Sequence, residues 1–279
     1  MVTVGYGQQR RESVTGSVAT IKGTDANVGV IANANGLLQG RVAGVNVITN
    51  SGEPGAGAQI RIRGGTSISA SNDPLYVIDG VPIQNDATEA GGIGIDGSAA
   101  LNRSPLNMLN PSDIANITVL KDASATAIYG SRGANGVVLI ETKRGVAGVS
   151  SVEYETYVAQ STPSNTLGFL TGNEYRAFIQ KQVTAGTVNA SRLTGLGAAN
   201  TDWENELTRS SATVNHNLSF TGGNSSTQYR ASLNYANQRG VVISNGFERF
   251  QGRINANHLA LDGKLRLALN LASTRLILA

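Results

Sequence analysis

Residues 120–145 read LKDASATAIYGSRGANGVVLIETKRG, and the fold turns on this stretch. Ile117, Val119 and Leu120 close an apolar run that predicts a strand. Asp122 stands at the N-cap position of a short helix over Ala123–Tyr129, where Ala and Ile favour helix. Gly130, Gly133 and Gly136 follow, and let the backbone turn where a side chain would clash. Val137–Thr142 is a β-branched run that predicts a buried strand. On these residues alone the stretch is a strand, short helix, Gly-rich turn and strand, such as any soluble domain carries.

Working outward towards the N-terminus, the pattern stays mixed. Ser13–Ile21 alternates and predicts a strand; Asn27–Val42 places Val28, Ile31, Leu38 and Val42 at roughly helical spacing, weakened by Gly29 and Gly36. Gly44–Thr49 predicts a strand, with a turn at Gly52–Gly57. Gln59–Arg63 alternates cleanly, Ile60 and Ile62 against Arg61 and Arg63. Pro74–Pro82, PLYVIDGVP, is a strand closed by the Asp79-Gly80 turn. Together these predict a compact α+β domain of a small mixed sheet with short helices, over residues 13–146. Thr66–Asp73 and Gln84–Ser104 are long polar loops. The second contains Gly92-Ile93-Gly94-Ile95-Asp96-Gly97, a formal G-x-G-x-x-G. It lacks the preceding strand and following helix that a dinucleotide site needs, so it reads as loop.

From about Val149 the texture becomes hairpin-like. Val152–Ala159 is a first strand, and Leu167–Gly195 is a long connection in which Tyr175, Phe178, Ile179 and Val183 share one face of a helix over Asn173–Val183. Four strands follow. Thr213–Thr221 sets Val214, Leu218 and Phe220 against Thr213, Asn215, Asn217 and Ser219. Gln228–Ala236 sets Tyr229, Ala231, Leu233 and Tyr235 against Gln228, Arg230, Ser232 and Asn234. Arg249–Leu261 sets Phe250, Ile254, Ala256 and Ala260 against Arg249, Gln251, Arg253, Asn255 and Asn257. Lys264–Thr274 sets Leu265, Leu267, Leu269 and Leu271 against Lys264, Arg266 and Asn270. Alternation does not choose between a soluble sandwich, whose apolar face is core, and a membrane barrel, whose apolar face meets lipid. The turns alternate short (Gly222-Gly223-Asn224), longer (Asn237–Gly246) and short (Asp262-Gly263), as outer-membrane barrels do. By that parity Thr162–Ala212 lies outside the cell. Tyr229 and Tyr235 are spaced to reach opposite interfaces.

Composition narrows the function classes. Of 279 residues 34 are Gly, roughly 12 per cent against about 7 per cent on average, which suits turn-rich β structure. Net charge is +3, and no Lys/Arg run exists to track phosphates, so nucleic acid is not an expected partner. The chain has no Cys, which removes disulfides, thiolate metal sites and Cys nucleophiles. It has no run of about 18 apolar residues, so a membrane role requires a closed barrel. No signal peptide precedes Val2, so an exported chain is expected to be mature or a piece. No catalytic constellation stands out: His216 and His258 fall within strands, and no H-E-x-x-H, G-x-S-x-G or Walker A occurs. Asp73 and Asp79 flank one strand at turn positions, where Asp is favoured for backbone hydrogen bonds. The expectation is no enzyme, no metal and no cofactor.

LKDASATAIYGSRGANGVVLIETKRG closely resembles the signature that ends the plug domain of SusC/RagA-type TonB-dependent outer-membrane transporters, and PLYVIDGVP resembles a second plug signature. Asn200–Trp203 (NTDW) and Gly240–Phe250 (GVVISNGFERF) look like that family's first barrel hairpins. The resemblance implies a plug signature of structural residues: Asp79, Gly80, Lys121, Asp122, Tyr129, Gly130, Gly133 and Gly136. It implies a TonB-box-like segment and linker over residues 1–12, in which Val2, Thr3, Val4 and Gly5 resemble the box's tail and bind TonB by strand addition. Residues 147–279 are then the N-terminal part of a transmembrane β-barrel. A plugged barrel needs about 22 strands, so the five visible ones imply a piece of a longer protein. The family implies location in the Gram-negative cell outer membrane and contact with its lipid. It also implies a SusD-like surface lipoprotein partner and an oligosaccharide or peptide ligand. Ligand outside would release the N-terminal segment to TonB, and a weakly packed Gly-rich plug would rearrange at low cost. The other reading kept open is a soluble secreted carbohydrate-binding β-rich module.

Overall fold

The structure is a computed structural model and describes residues 2–4, 7–9, 18–26, 29, 33–49, 51–64, 72–83, 105–164 and 168–278. Strands β1 (Val2–Val4) and β2 (Gly7–Gln9) form a small antiparallel hairpin. Then come β3 (Val18–Lys22), a helical turn α1 (Gly23–Ala26), β4 (Val45–Thr49), β5 (Ala58–Ile62), β6 (Leu75–Ile78) and β7 (Val81–Ile83). β8 (Ile114–Leu120), α2 (Ala123–Thr126) and β9 (Val137–Thr142) complete the mixed half.

Its main sheet runs β3-β8-β9-β6-β7, with β6 and β9 parallel and the other pairs antiparallel. β4 and β5 pair separately. Both faces of the sheet are covered, which is why VVLI in β9 is apolar throughout. On one face Tyr76, Ile117, Val119, Val138 and Ile140 pack on Leu37, Leu38, Ile60, Ile62, Leu106 and Leu109. On the other, Leu75, Val77, Leu120, Val137 and Leu139 pack on Ala125 and Tyr129. Burying each Leu, Ile or Val contributes about 1.5–3 kcal/mol, so this half is not weakly packed as the Gly content suggests. Burial, with Asp73 nearby, pushes the Tyr76 hydroxyl well above its ordinary pKa and keeps it neutral.

The deciding stretch folds as strand, helical turn, Gly-rich turn and strand, with two corrections. The helix is short: α2 ends at Thr126, and a tighter 3-10 segment runs from Ala127 to Gly133, broken by Gly130 at φ 61°. Asp122 holds the N-cap backbone conformation, but its side chain makes no cap bond. It instead lies 3.4 Å from the Arg63 guanidinium and accepts from Ser124. Gly136, at φ 96°, is where glycine is required, since a Cβ would stand 2.7 Å from Ile62 Cδ1. Within 27–42 the described residues form a 3-10 turn, Ala34–Leu37, rather than a longer helix: Asn33 caps it, and Gly40, at φ 70°, turns the chain shortly after it. Leu38 and Val42 do face the core; Val28 and Ile31 lie outside the described residues, as do Gly92–Gly97 and the residues before Val18 in the predicted Ser13–Ile21 strand.

The second half is one five-stranded antiparallel meander: β10 (Ser151–Ser161), β11 (Ser211–Gly223), β12 (Thr227–Arg239), β13 (Gly246–Ala260) and β14 (Leu265–Leu278). Between β10 and β11 stand α3 (Gly172–Thr184), α4 (Ser191–Thr194) and α5 (Trp203–Leu207). Thr171 and Glu174 form a reciprocal capping box on α3, and these bonds hold the Glu174 carboxyl below its usual range. The connections 162–210 and 240–245 meet at one end, where Arg209 N–H donates to Val241 and Ile243 N–H to Leu207. Residues 224–226 and 261–264 turn tightly at the other end.

The two faces of this sheet are inverted relative to a soluble sandwich. Thr213, Asn215, Asn217, Ser219, Arg230, Ser232, Asn234, Arg249, Gln251, Arg253 and Asn255 are buried. Leu233 is 59 % exposed and Leu271 58 %, with Phe220, Phe250, Ile254, Leu265, Leu267 and Leu269 also exposed. The exposed apolar band is not level with the rungs. It covers 152–158 on β10, 214–220 on β11, 229–235 on β12, 250–260 on β13 and 265–271 on β14. Through the observed registers, its centre slides about six residues towards the tight-turn end over four strand steps. With about 3.4 Å per residue and 4.8 Å per strand, a horizontal band needs strands tilted by about 45°. That tilt is within the range of closed barrels.

Substituting Gly136→Ala adds a left-handed penalty and a clash with Ile62, and should cost about 2–5 kcal/mol. Gly197→Ala, in open space, should stay within about 0.5 kcal/mol. Urea midpoints of the whole chain in detergent micelles measure both, and equal midpoints would refute the close-approach account.

Candidate functional site at the interface of the mixed half and the strand sheet

The buried polar face of β11–β13 lies directly on the mixed half, and the contact is built around residues 105–113. Two 3-10 turns, Pro105–Met108 and Pro111–Asp113, keep this segment too tight for its carbonyls to join a ladder. Asn110 caps the second turn through its side-chain oxygen, at 3.1 Å from the Ser112 N–H. Its amide group points the other way and donates to Asn217 Oδ1 at 2.8 Å. One side chain thus fixes the turn and ties it to β11.

Three arginines on the inner face reach into this seam. Arg249 is 0 % exposed. It donates to the carbonyls of Asn107 (3.1 Å) and Leu109 (3.0 Å) and to Asn234 Oδ1 (3.2 Å). Arg230 lies 3.7 Å from Asp113 Oδ1, while Ser232 donates to Asp113 Oδ2 at 2.9 Å. Arg253 donates to Asp79 Oδ2 at 3.3 Å. Taking a guanidinium out of water is costly, so each needs these partners to remain buried. Met108 accepts from Thr274 (3.2 Å) and Glu155 from Ser112 (3.0 Å) at the margins. Phe247, an aromatic on this face, packs on Gly55, whose carbonyl is held by Asn107 Nδ2 at 2.7 Å.

Asp79 is the residue whose role the sequence misjudged most. Its backbone sits in the turn as expected, with Asp79 at φ 49° and Gly80 at φ 90°, the left-handed pair that a two-residue hairpin demands. Its carboxylate does not serve that turn. It accepts from Thr142 N–H (3.0 Å) and Thr142 Oγ1 (2.7 Å), and pairs with Arg253 across the seam. Asn255 extends the link by donating to Thr142 Oγ1 (3.1 Å) and the Lys143 carbonyl (3.0 Å). Gly145 then abuts the backbone of Tyr229, where no side chain would fit.

The direct bonds leave part of the seam open. Both amide atoms of Gln251, Ser219 Oγ, Asn255 Oδ1 and the Nε atoms of Arg249 and Arg253 are buried without a protein partner among the described residues. Such a polar contact separates at lower cost than an apolar core, because its groups bond water once apart.

The other expected residues fall into two places. Lys121 donates to the Ala43 carbonyl (3.1 Å), Asp122 faces Arg63, Tyr129 fills the second core cluster, and Gly130, Gly133 and Gly136 lie between α2 and β9, so these six sit within the mixed half. Val2–Val4 are paired with Gly7–Gln9, and Gly5 lies outside the described residues. The sequence does not mark Asn107, Asn110, Asp113, Arg230, Arg249 and Arg253 as a site. The available signal was the cations Arg249 and Arg253 on one side of a strand whose other side is apolar. Among the described residues no group of His, Asp or Glu is arranged to hold a metal.

Residues 10–137 match the family model described as TonB-dependent Receptor Plug Domain. The chain is similar to the TonB-dependent receptor SusC of Bacteroides thetaiotaomicron, 44 % identical over 97 % of this chain and 25 % of the relative. It is similar to the TonB-dependent receptor P3 of Formosa agariphila, 40 % identical over 90 % of this chain and 22 % of the relative. It therefore spans about a quarter of the length of these curated relatives. Among solved structures, the RagAB peptide importer in the open-open state superposes with a TM-score of 0.80 at 31 % identity, covering 100 % of this chain and 32 % of that one.

Removing one partner of a buried ion contact costs about 3–5 kcal/mol, so Arg249→Ala should lower stability by that amount and speed amide exchange across 107–113. A double-mutant cycle of Asp79→Asn and Arg253→Gln should give a coupling of about 0.5–3 kcal/mol. Additive single effects would show that the seam pair is only a neighbourly contact.

Proposed function

Because the chain belongs to the SusC/RagA-type TonB-dependent receptors, we propose that it carries the plug and first membrane strands of an importer in the Gram-negative outer membrane. Residues 1–12 are then the coupling segment and linker, 13–146 the plug, and 147–279 the start of the barrel. The observation that carries this reading is the inverted sheet: polar side chains sealed against the plug, Leu and Phe facing outward. A sandwich in water would bury the opposite face. The slide of the apolar band supports the same reading through the strand tilt.

The plug closes the channel by occupying the inner face, held by Arg230, Arg249 and Arg253. Ligand arriving at the long-loop end shifts the plug's balance, and the N-terminal strand passes to TonB by strand addition through Val2, Thr3, Val4 and Gly5. Force on that strand, drawn from the inner-membrane proton gradient, then parts the open, polar seam before it disrupts the apolar plug core. We assign the cargo to oligomers, glycans first. Peptides are the second class, because RagAB, named a peptide importer, is 31 % identical. A SusD-like lipoprotein completes the outer mouth. None of these roles uses a catalytic group or cofactor.

Two measurements test this. The chain should aggregate in plain buffer and be monodisperse in detergent, and a monodisperse chain without detergent would favour the soluble binding module instead. The periplasmic domain of TonB should retain the chain on a column, and deletion of residues 2–5 should reduce retention at least about tenfold if the box supplies the paired strand. Unchanged retention would remove Val2–Gly5 from the coupling role.

A further inference from the structure

The outward face carries a groove that neither gating nor coupling uses. Thr156, His216, Tyr235, Phe250 and Arg275 form one cross-strand row through all five strands. His216 and Tyr235 stack at 6.3 Å between ring centroids, and Tyr235 and Phe250 meet at 4.7 Å. Beside this row lies a cavity of about 510 Å³, walled by Leu218, Leu233 and Phe250 and floored by Gly252. A Cβ at Gly252 would find only Leu233 Cδ2, at 3.6 Å, so the glycine leaves a trough rather than relieving a clash. Arg275 closes one end of it. Arg275 is exposed and makes no ion pair among the described residues. It stands two outward positions beyond Leu271, the last residue of the β14 leucine band, on the side of the long connections.

An apolar trough ending in an exposed guanidinium at the rim of an apolar band has the chemistry to take a lipid whose acyl chain lies in the trough and whose phosphate meets the cation. We infer that this groove binds a phosphorylated lipid of the outer leaflet, one per chain, with an acyl chain over Gly252 and the phosphate on Arg275. The inference rests on the membrane reading and on the parity that puts the long connections outside. The aromatic row sets the depth: Tyr235 and Phe250 mark the interface at which a headgroup sits.

The test is native mass spectrometry of the whole chain released from neutral detergent, with bisphosphorylated lipid A or phosphatidylcholine titrated in. One lipid A should be retained about fivefold more tightly than phosphatidylcholine, as one surface cation implies. Arg275→Gln should erase that preference, and Lys264→Gln, at the tight-turn end, should keep it. Gly252→Val should reduce lipid A capture with Arg275 intact, its strand content checked by circular dichroism. Equal retention of the two lipids, an unchanged preference in Arg275→Gln, or displacement of lipid A by equimolar inorganic phosphate would overturn the groove alone. A chain that retains neither detergent nor lipid would overturn the membrane reading and the groove with it.

Discussion

Three guanidinium groups on the inner face of the strand sheet cannot be buried without partners, and the placement of the plug follows from that. Arg249 finds the carbonyls of Asn107 and Leu109, Arg230 finds Asp113, and Arg253 finds Asp79. The Asn107 carbonyl lies within one 3-10 turn and the Leu109 carbonyl between that turn and the next, so neither joins a sheet. The carboxylates are held in place by Thr142 and Ser232. A charge that is costly in an apolar interior becomes a fixed point when its partners are this well placed.

This division gives the molecule two kinds of interior. The plug core is apolar on both sides of its sheet, with Tyr129 and Ile62 packed around the Gly-rich turn. The seam between plug and strands is polar, incompletely bonded and lined by Asn, Ser, Gln and Arg. Water substitutes readily for the second kind of contact and poorly for the first. Parting the two halves therefore meets less resistance at the seam than within the apolar core.

The signature residues serve the same end from a distance. Gly136 lets β9 begin against Ile62, and β9 delivers Thr142 to Asp79 at its far end. Asp79 is presented by a hairpin whose left-handed pair only a few residues tolerate. The motif reads as a folding signature, yet its last residues and the PLYVIDGVP turn form one end of the seam.

Much of this was legible beforehand. The runs IANITVL and VVLIET, the Asp79-Gly80 turn, the faces of four long strands and the helix over 172–184 follow from periodicity and turn chemistry, which are local properties. The sequence also placed Arg249 and Arg253 on the polar side of their strand. It could not say which side is buried, because alternation is symmetrical and only what lies against the sheet breaks the tie. It put Asp122 on a helix cap and Asp79 in service of its own turn, since short-range bonds are the only ones that spacing reveals. The tertiary structure sent both carboxylates to distant arginines, Arg63 and Arg253, because a charge settles on whichever cation the packing brings within reach.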